Sequence, residues 1–255
     1  MKRVVIKVGS AVLTENNNIA KERMLNLVSL IAEVKKKYDV ILVTSGAVAA
    51  GYSALKLDKR KQIGKKALAA AGQPILMTSY KKKFDIYQID TAQILLTEDD
   101  FDSTKRTTMF QEIINAHLDN DIVPIVNEND ITSTPEQLFG DNDQLSAHVA
   151  YATDSEFLVI LSDIDGYYDK NPKENKDAKI YKTLDNIPEE ALNGDHTPNN
   201  LFATGGIVTK LKAADFLLKR NKKMFLCNGF DLSSAKSFLI DDKHELGTLF
   251  TKAKN

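Results

Sequence analysis

Residues 127–143 crowd amide and carboxylate side chains into two groups, Asn127-Glu128-Asn129-Asp130 and Gly140-Asp141-Asn142-Asp143. Charged groups buried without partners are strongly destabilising. Such a density therefore belongs where a polar ligand or ions compensate it. A solvated acidic loop is the plainer alternative. However, the first group follows the apolar run Ile122–Val126 and the second opens a helical pattern. Strand ends and helix starts are where α/β proteins bind ligands.

Cations and small residues stand at comparable places. Lys7 lies between Ile6 and Val8 near the end of a β-branched run that closes at Gly9-Ser10. It could point outward from an edge strand, but a lone cation interrupting a continuous apolar run favours a functional role. Thr44-Ser45-Gly46-Ala47 follows a second apolar run, Val40–Val43. Its small side chains let a ligand approach the free N–H groups of the helix behind it, although tight packing alone would also use them. Thr204-Gly205-Gly206-Ile207-Val208-Thr209-Lys210 offers the same cradle at another helix start. Lys210 falls in a first turn, where the helix dipole disfavours a cation, so an anion is expected beside it. Ser162-Asp163 ends a further strand at a turn-forming sequence, Asp163-Ile164-Asp165-Gly166. That loop fails as a calcium EF-hand, because Leu161 and Pro172 occupy ligand positions.

Two lysines, two glycine-rich turns and clustered carboxylates suit phosphoryl transfer, which is mostly positioning and charge stabilisation. No Walker A sequence, Rossmann fingerprint or protein-kinase signature occurs. The histidines (117, 148, 196 and 244) lie outside the clusters, which disfavours a histidine base or a histidine-bound metal. No metal-ligating set is read from the chain. A carboxylate acceptor would need no base, being ionised at neutral pH. The obstacle is then repulsion between anions, roughly 4 kcal/mol per pair at ~4 Å and an effective dielectric of about 20. Lysines flanking the moving group address it.

The elements that must position these groups alternate. Strand-like runs at 3–8, 40–43, 90–97, 122–126, 157–161, 224–227 and 248–250 are separated by helical patterns. These include one with Met24, Leu27, Val28 and Ile31 inward, one over 104–118 with Met109, Ile113 and Ala116 on a face, and one with Ile207, Leu211, Ala214 and Leu218 inward. Residues 54–84 read as helical with a break at Gly72-Gln73-Pro74, and 169–203 as a polar excursion with little core. Alternation of this kind predicts βαβ units and a largely parallel sheet covered on both faces, an α/β fold in one domain.

With 255 residues, 43% hydrophobic and 27% charged, the chain can bury a sizeable core as one globular domain with two lobes. A net charge of −1 argues against a nucleic-acid binder. No run approaches the ~20 apolar residues of a membrane helix, and Cys227, the single cysteine, reads as a buried structural thiol. A cytoplasmic location is expected.

On Lys7-Val8-Gly9-Ser10, Thr44-Ser45-Gly46-Ala47, Asn127–Asp130, Phe139-Gly140-Asp141-Asn142-Asp143 and Thr204–Lys210, the chain resembles the amino acid kinase family from Lys7 to about Phe250. Within that family it is similar to the branch that converts L-glutamate to L-glutamyl 5-phosphate, the first step of proline synthesis. The resemblance implies a three-layer αβα sandwich, with the amino acid bound by an N-terminal lobe (about 1–150) and MgATP by a C-terminal lobe (about 151–255). It assigns Lys7 and Lys210 to the transferring phosphoryl group and Asp143 to holding both lysines. Ser45, Asp130 and Asn142 would bind glutamate. Ser162, Asp163, Thr204, Gly205, Gly206, Ile207, Val208, Thr209 and Lys210, with Lys7, would contact the nucleotide. Feedback inhibition by proline and a homo-oligomer are also implied. Two departures stand out: no C-terminal PUA domain follows, and Leu138 occupies a position where a basic residue is expected. The competing readings are a related kinase acting on another acid (acetylglutamate, aspartate or carbamate) and a nucleotide-binding sensor that has lost turnover.

Overall fold

A computed structural model describes residues 1–58, 60–133, 142–172, 174–193 and 205–252. The N-terminal part runs β1 (Lys2–Val8), α1 (Ser10–Leu13), β2 (Thr14–Glu15), β3 (Asn18–Ile19), α2 (Lys21–Val34), β4 (Tyr38–Val43), α3 (Ala47–Ala54) and α4 (Gln62–Phe84). It continues with β5 (Thr91–Leu96), α5 (Asp99–Asp102), α6 (Thr104–Asp119) and β6 (Val123–Glu128). The C-terminal part runs α7 (Asn142–Ala152), β7 (Phe157–Ser162), β8 (Thr183–Leu184), α8 (Glu189–Asn193), α9 (Gly205–Leu218), β9 (Lys223–Asn228), α10 (Ser233–Leu239) and β10 (Thr248–Phe250). Among the described residues no helix is long and apolar enough to cross a membrane.

Eight strands form one sheet in the order β5-β6-β4-β1-β7-β9-β10-β8. Every pairing is parallel except β10 on β9. The expected mainly parallel αβα sandwich is what the chain builds.

Side chains of a strand alternate between faces, and the two cores divide accordingly. Val4, Ile6 and Val8 of β1, with Val40 and Leu42 of β4, pack with α2, α3 and α4. Val5, with Ile41 and Val43, packs on the other face with α6, α7 and α9. The period of two puts Lys7 on the face of Val5, under the starts of α7 and α9. It is 2% exposed, so the outward-facing alternative is excluded.

Three local expectations are corrected. The helix over 62–84 continues through Pro74 rather than breaking at Gly72-Gln73-Pro74. Pro74 and Ala70 are both exposed, so the backbone bond that proline removes is lost on the solvent side. On α6 the buried residues are Phe110 and Ile114, while Met109 and Ile113 are exposed. Phe110 and Ile114 form a rival i, i+4 pair, and the larger aromatic occupies the core. The excursion after residue 169 is also less loose than its composition suggests, since it supplies edge strand β8 and the buried Ile187 and Ala191.

Candidate active site

The C-terminal ends of β1, β4, β6 and β7 lie side by side at the centre of the sheet. This brings Lys7, Thr44-Ser45, Asn127–Asp130 and Ser162-Asp163 to one edge, as open α/β sheets do. The helices α7 and α9 begin above that edge, with Asp143 in the first turn of α7.

Asp143 is fully buried and joins both lysines. Its Oδ1 accepts from Lys7 Nζ at 2.6 Å, and its Oδ2 accepts from Lys210 Nζ at 3.1 Å and from Thr209 Oγ1 at 2.9 Å. Burial alone would raise its pKa, but Lys7 and then Lys210 overcome this and hold the carboxyl at about 2. Lys210 Nζ also donates to the carbonyl of Gly206 at 2.9 Å, one turn back on α9. Lys210 thus stands in the second turn of α9 rather than the first turn expected of it, and the anion beside it is Asp143.

A cleft of about 340 Å³ opens beside this cluster, lined among others by Ser45, Gly46, Asn127, Glu128, Asp130 and Asn142. Gly46 has φ +105°, a left-handed conformation that suits glycine. It turns the chain from β4 into α3, whose first backbone bond is from Ala50 N to Gly46 O. The N–H groups of Ala47, Val48 and Ala49 therefore have no partner within the helix. These three residues also line the cleft, an arrangement that favours a carboxylate.

Asn142, next to Asp143, donates from Nδ2 to Thr44 O at 2.5 Å, Asn127 Oδ1 at 2.9 Å and Ser45 Oγ at 3.0 Å. Asp130 lines the same cleft without joining these hydrogen bonds. Burial raises its pKa, an effect opposed by Lys65 and then Lys66. Lys65 lines the same cleft, and Lys66 ties down the following turn by donating to Ile131 O and Ser133 O at 2.9 and 2.8 Å.

Of the residues expected at the site, the structure thus unites Lys7, Asp143, Thr209 and Lys210 in one cluster, and Ser45 and Asn142 in another, with Asp130 on the shared wall. Ser162 and Asp163 lie at the end of β7 and bond to each other at 3.0 Å; Ser162 O accepts from Gly229 N at 2.7 Å. They do not bond to the lysines among the described residues. Ile207 turns its side chain into the core at 4% exposure, and Val208 is half-buried beside Gly206 in the first turn of α9. Gly205 opens that helix, whereas Thr204 and the stretch holding Leu138 and Phe139-Gly140-Asp141 fall outside the described residues. Reading the sequence missed the individual parts of Asn127, Gln73 and Lys65. Asn127 was visible only as part of its acidic group, and Gln73 carried no signal beyond its place before a proline. Cys227 is buried, as expected, and burial raises its thiol pKa.

The sequence profile of the amino acid kinase family matches residues 2–228. The glutamate 5-kinase of Wolinella succinogenes is 54% identical, aligned over 99% of this chain and 98% of its own length. That of Leishmania donovani is 49% identical over 98% of this chain and 95% of its own. An isopentenyl phosphate kinase from T. acidophilum shares the fold at a TM-score of 0.66, covering 97% of this chain and 99% of its own at 16% identity. With a family match across most of the chain and relatives this similar end to end, the chain belongs to the amino acid kinase family, in its glutamate 5-kinase branch, and is a kinase.

Proposed function

We propose that this kinase transfers the γ-phosphoryl group of ATP to the side-chain carboxylate of L-glutamate, giving L-glutamyl 5-phosphate, the first step of proline biosynthesis. The observation that carries this reading is one buried carboxylate, Asp143, clamping two lysines beside a cleft that bears Asp130 and Ser45. The glutamate-kinase identity of the full-length relatives supports the choice of acid.

In this reading glutamate lies in the cleft of the N-terminal lobe (about 1–150). Its α-carboxylate meets Ser45 and the N–H groups at the start of α3, and its ammonium meets Asp130. The free ammonium is what requires a buried carboxylate there; an acylated amine would not. The nucleotide lies over the C-terminal lobe (about 151–255), held by Ser162, Asp163 and the segment from Thr204 to Lys210. A side-chain carboxylate oxygen attacks the γ-phosphorus in line, the bond to the β–γ bridging oxygen breaks, and ADP leaves with that electron pair. No proton needs removing. Lys7 and Lys210 lower the repulsion between the two anions and stabilise the charge on the transferring group, while Asp143 fixes both ammonium groups before substrate arrives.

Magnesium fits this arrangement as MgATP. Among the described residues no cluster of acidic, histidine or cysteine side chains could hold a metal alone. Triphosphate oxygens and water would supply most ligands, as magnesium prefers, and the ion would neutralise charge on the β- and γ-phosphates. Inhibition by proline and a homo-oligomer belong to the same reading.

The direct test is ATP-dependent acyl phosphate formation trapped as the hydroxamate, with L-glutamate beside N-acetylglutamate, L-aspartate and no acceptor. Product with L-glutamate alone is expected. Product with N-acetylglutamate instead would overturn the role of Asp130, product with L-aspartate instead would overturn the choice of acid, and bound ATP without any product would overturn turnover itself.

A further inference from the structure

The polarity of the acceptor cleft is set by a side chain outside its lining. Gln73 sits on α4, 9% exposed, and its Oε1 accepts from Asn127 Nδ2 at 2.9 Å. Its own Nε2 is buried with no hydrogen-bond partner among the described residues.

A carboxamide has a donor end and an acceptor end, so the partner of one end fixes the other. Because Asn127 gives its NH2 group to Gln73, its Oδ1 faces the opposite way. There it accepts from Asn142 Nδ2 and from the backbone N–H of Glu128, both at 2.9 Å. The two protons of the Asn142 NH2 group are thereby shared among Thr44 O, Asn127 Oδ1 and, at the longest distance of 3.0 Å, Ser45 Oγ. Ser45 then receives a hydrogen bond from the protein, which leaves its own proton to be donated into the cleft. The Asn142 carbonyl takes no hydrogen bond among the described residues, and Asn142 also lines the cleft.

We infer that Gln73 is a positioning residue whose oxygen, together with the backbone N–H of Glu128 and the carbonyl of Thr44, orients this relay, so that the cleft shows a hydroxyl donor at Ser45 and an amide acceptor at Asn142. That pair matches the two ends of a zwitterion: the donor suits the α-carboxylate and the acceptor suits the ammonium beside Asp130. Reversed, the relay would turn an NH2 group toward the ammonium. The inference rests on the reading of this cleft as the glutamate site. It also explains why an amide stands here at all. A methionine would fill the same space without burying an unpartnered donor, so the acceptor oxygen is what the position requires.

The test compares Gln73→Met, which removes the oxygen, with Gln73→Glu, which keeps an acceptor but introduces a buried acid. Gln73→Met is expected to raise the glutamate KM about ten-fold or more, the size of a lost buried hydrogen bond. The ATP KM and kcat should change by less than about two-fold, as when only uniform binding is lost. Gln73→Glu should recover most of the glutamate KM while lowering the melting temperature. A residue that merely filled space would give the reverse: Met tolerated, Glu damaging, and all kinetic constants affected together through loss of folded enzyme. That result would overturn the inference. Should Gln73→Met not fold, Gln73→Ser, too short to reach Asn127, carries the same expectation. Ser45→Ala measured alongside separates the two levels. If it leaves the glutamate KM unchanged, the cleft reading itself fails. If it raises that KM while Gln73→Met does not, only the relay is wrong.

Discussion

Asp143 is the residue on which both lysines converge, and its position makes the consequences of substitution separable. Asp143→Asn leaves two ammonium groups at a buried site without their shared carboxylate. The expected cost is about 3–5 kcal/mol of stability, as for one broken buried ion pair, together with loss of turnover; chemical denaturation measures the first. Lys210→Ala should reduce kcat by about 10²–10³-fold, the usual scale for one preorganised donor, while nucleotide binding by calorimetry persists. Unchanged kcat would remove Lys210 from the transfer step. Asp130 behaves oppositely to Asp143, since there burial outweighs the neighbouring lysines and raises the pKa. An ammonium needs the ionised form, so the glutamate KM should rise as pH falls, beginning above the usual carboxylate range. Asp130→Asn should raise that KM about 10–100-fold, the worth of a charged hydrogen bond, and modestly raise the melting temperature by removing a charge that folding desolvates. Lys7 and Lys210 were legible as cations at a strand end and a helix start, and the separate parts of Asp143 and Asp130 only through the family resemblance. Gln73 and Asn127 were not, because their importance lies in which way an amide points, a property of partners far apart in the chain.

At the scale of elements, the crossing of α3 and α4 decides where Ser45 stands. A Cβ on Gly72 would lie 1.8 Å from Ala47 O, and one on Gly51 would lie 1.9 Å from Leu68 O. Both obstacles are backbone, so neither can swing aside. Gly72→Ala should push α3 off α4, destabilise the fold by about 1–3 kcal/mol as overpacking does, and raise the glutamate KM before the ATP KM. Equal effects on both substrates would show that α3 is not tied to the acceptor cleft. The small residues of this turn were ambiguous in sequence between ligand approach and helix packing. They serve both uses at different positions: Gly46 makes the turn, and Gly51 makes the contact. The helix through Pro74 was misread because a local breaker signal carries no information about which side of the helix faces water. The inward face of α6 was misread for a similar reason, two apolar stripes competing for one core.

For the whole molecule, the mainly parallel order of the sheet was legible from alternation, since period-two runs and helical patterns rarely interleave by chance. The strand order was not, being a matter of long-range pairing. Acid stability follows from two groups on the same face of the sheet. His148, packed against Phe101 and Phe216, has its pKa lowered to about 4 by burial and then by Arg220, with Asp102 opposing. The unfolded chain takes up that proton near pH ~6.5, so stability should fall as pH drops from there toward 4. The contribution of Asp143 is present above its unfolded pKa and is lost later, as pH falls toward 2. Denaturation midpoints across pH should show both phases, and His148→Phe should flatten only the first.

The central strand also has a history in time. β1 pairs on one side with β4, through Tyr38–Val43, but on the other with β7, beginning at Phe157. During synthesis at ~5–20 residues per second, one edge of β1 waits on the order of ten seconds for its neighbour. For that interval the run from Val4 to Val8 is an open apolar edge, and Asp143, the carboxylate that pairs with Lys7, is not made until near its end. A charge in such a segment keeps it from pairing with other chains. Lys7, proposed above for the transfer step, would thus also guard the unfinished chain, and Lys7→Met should aggregate on refolding from denaturant well beyond what its loss of activity would suggest.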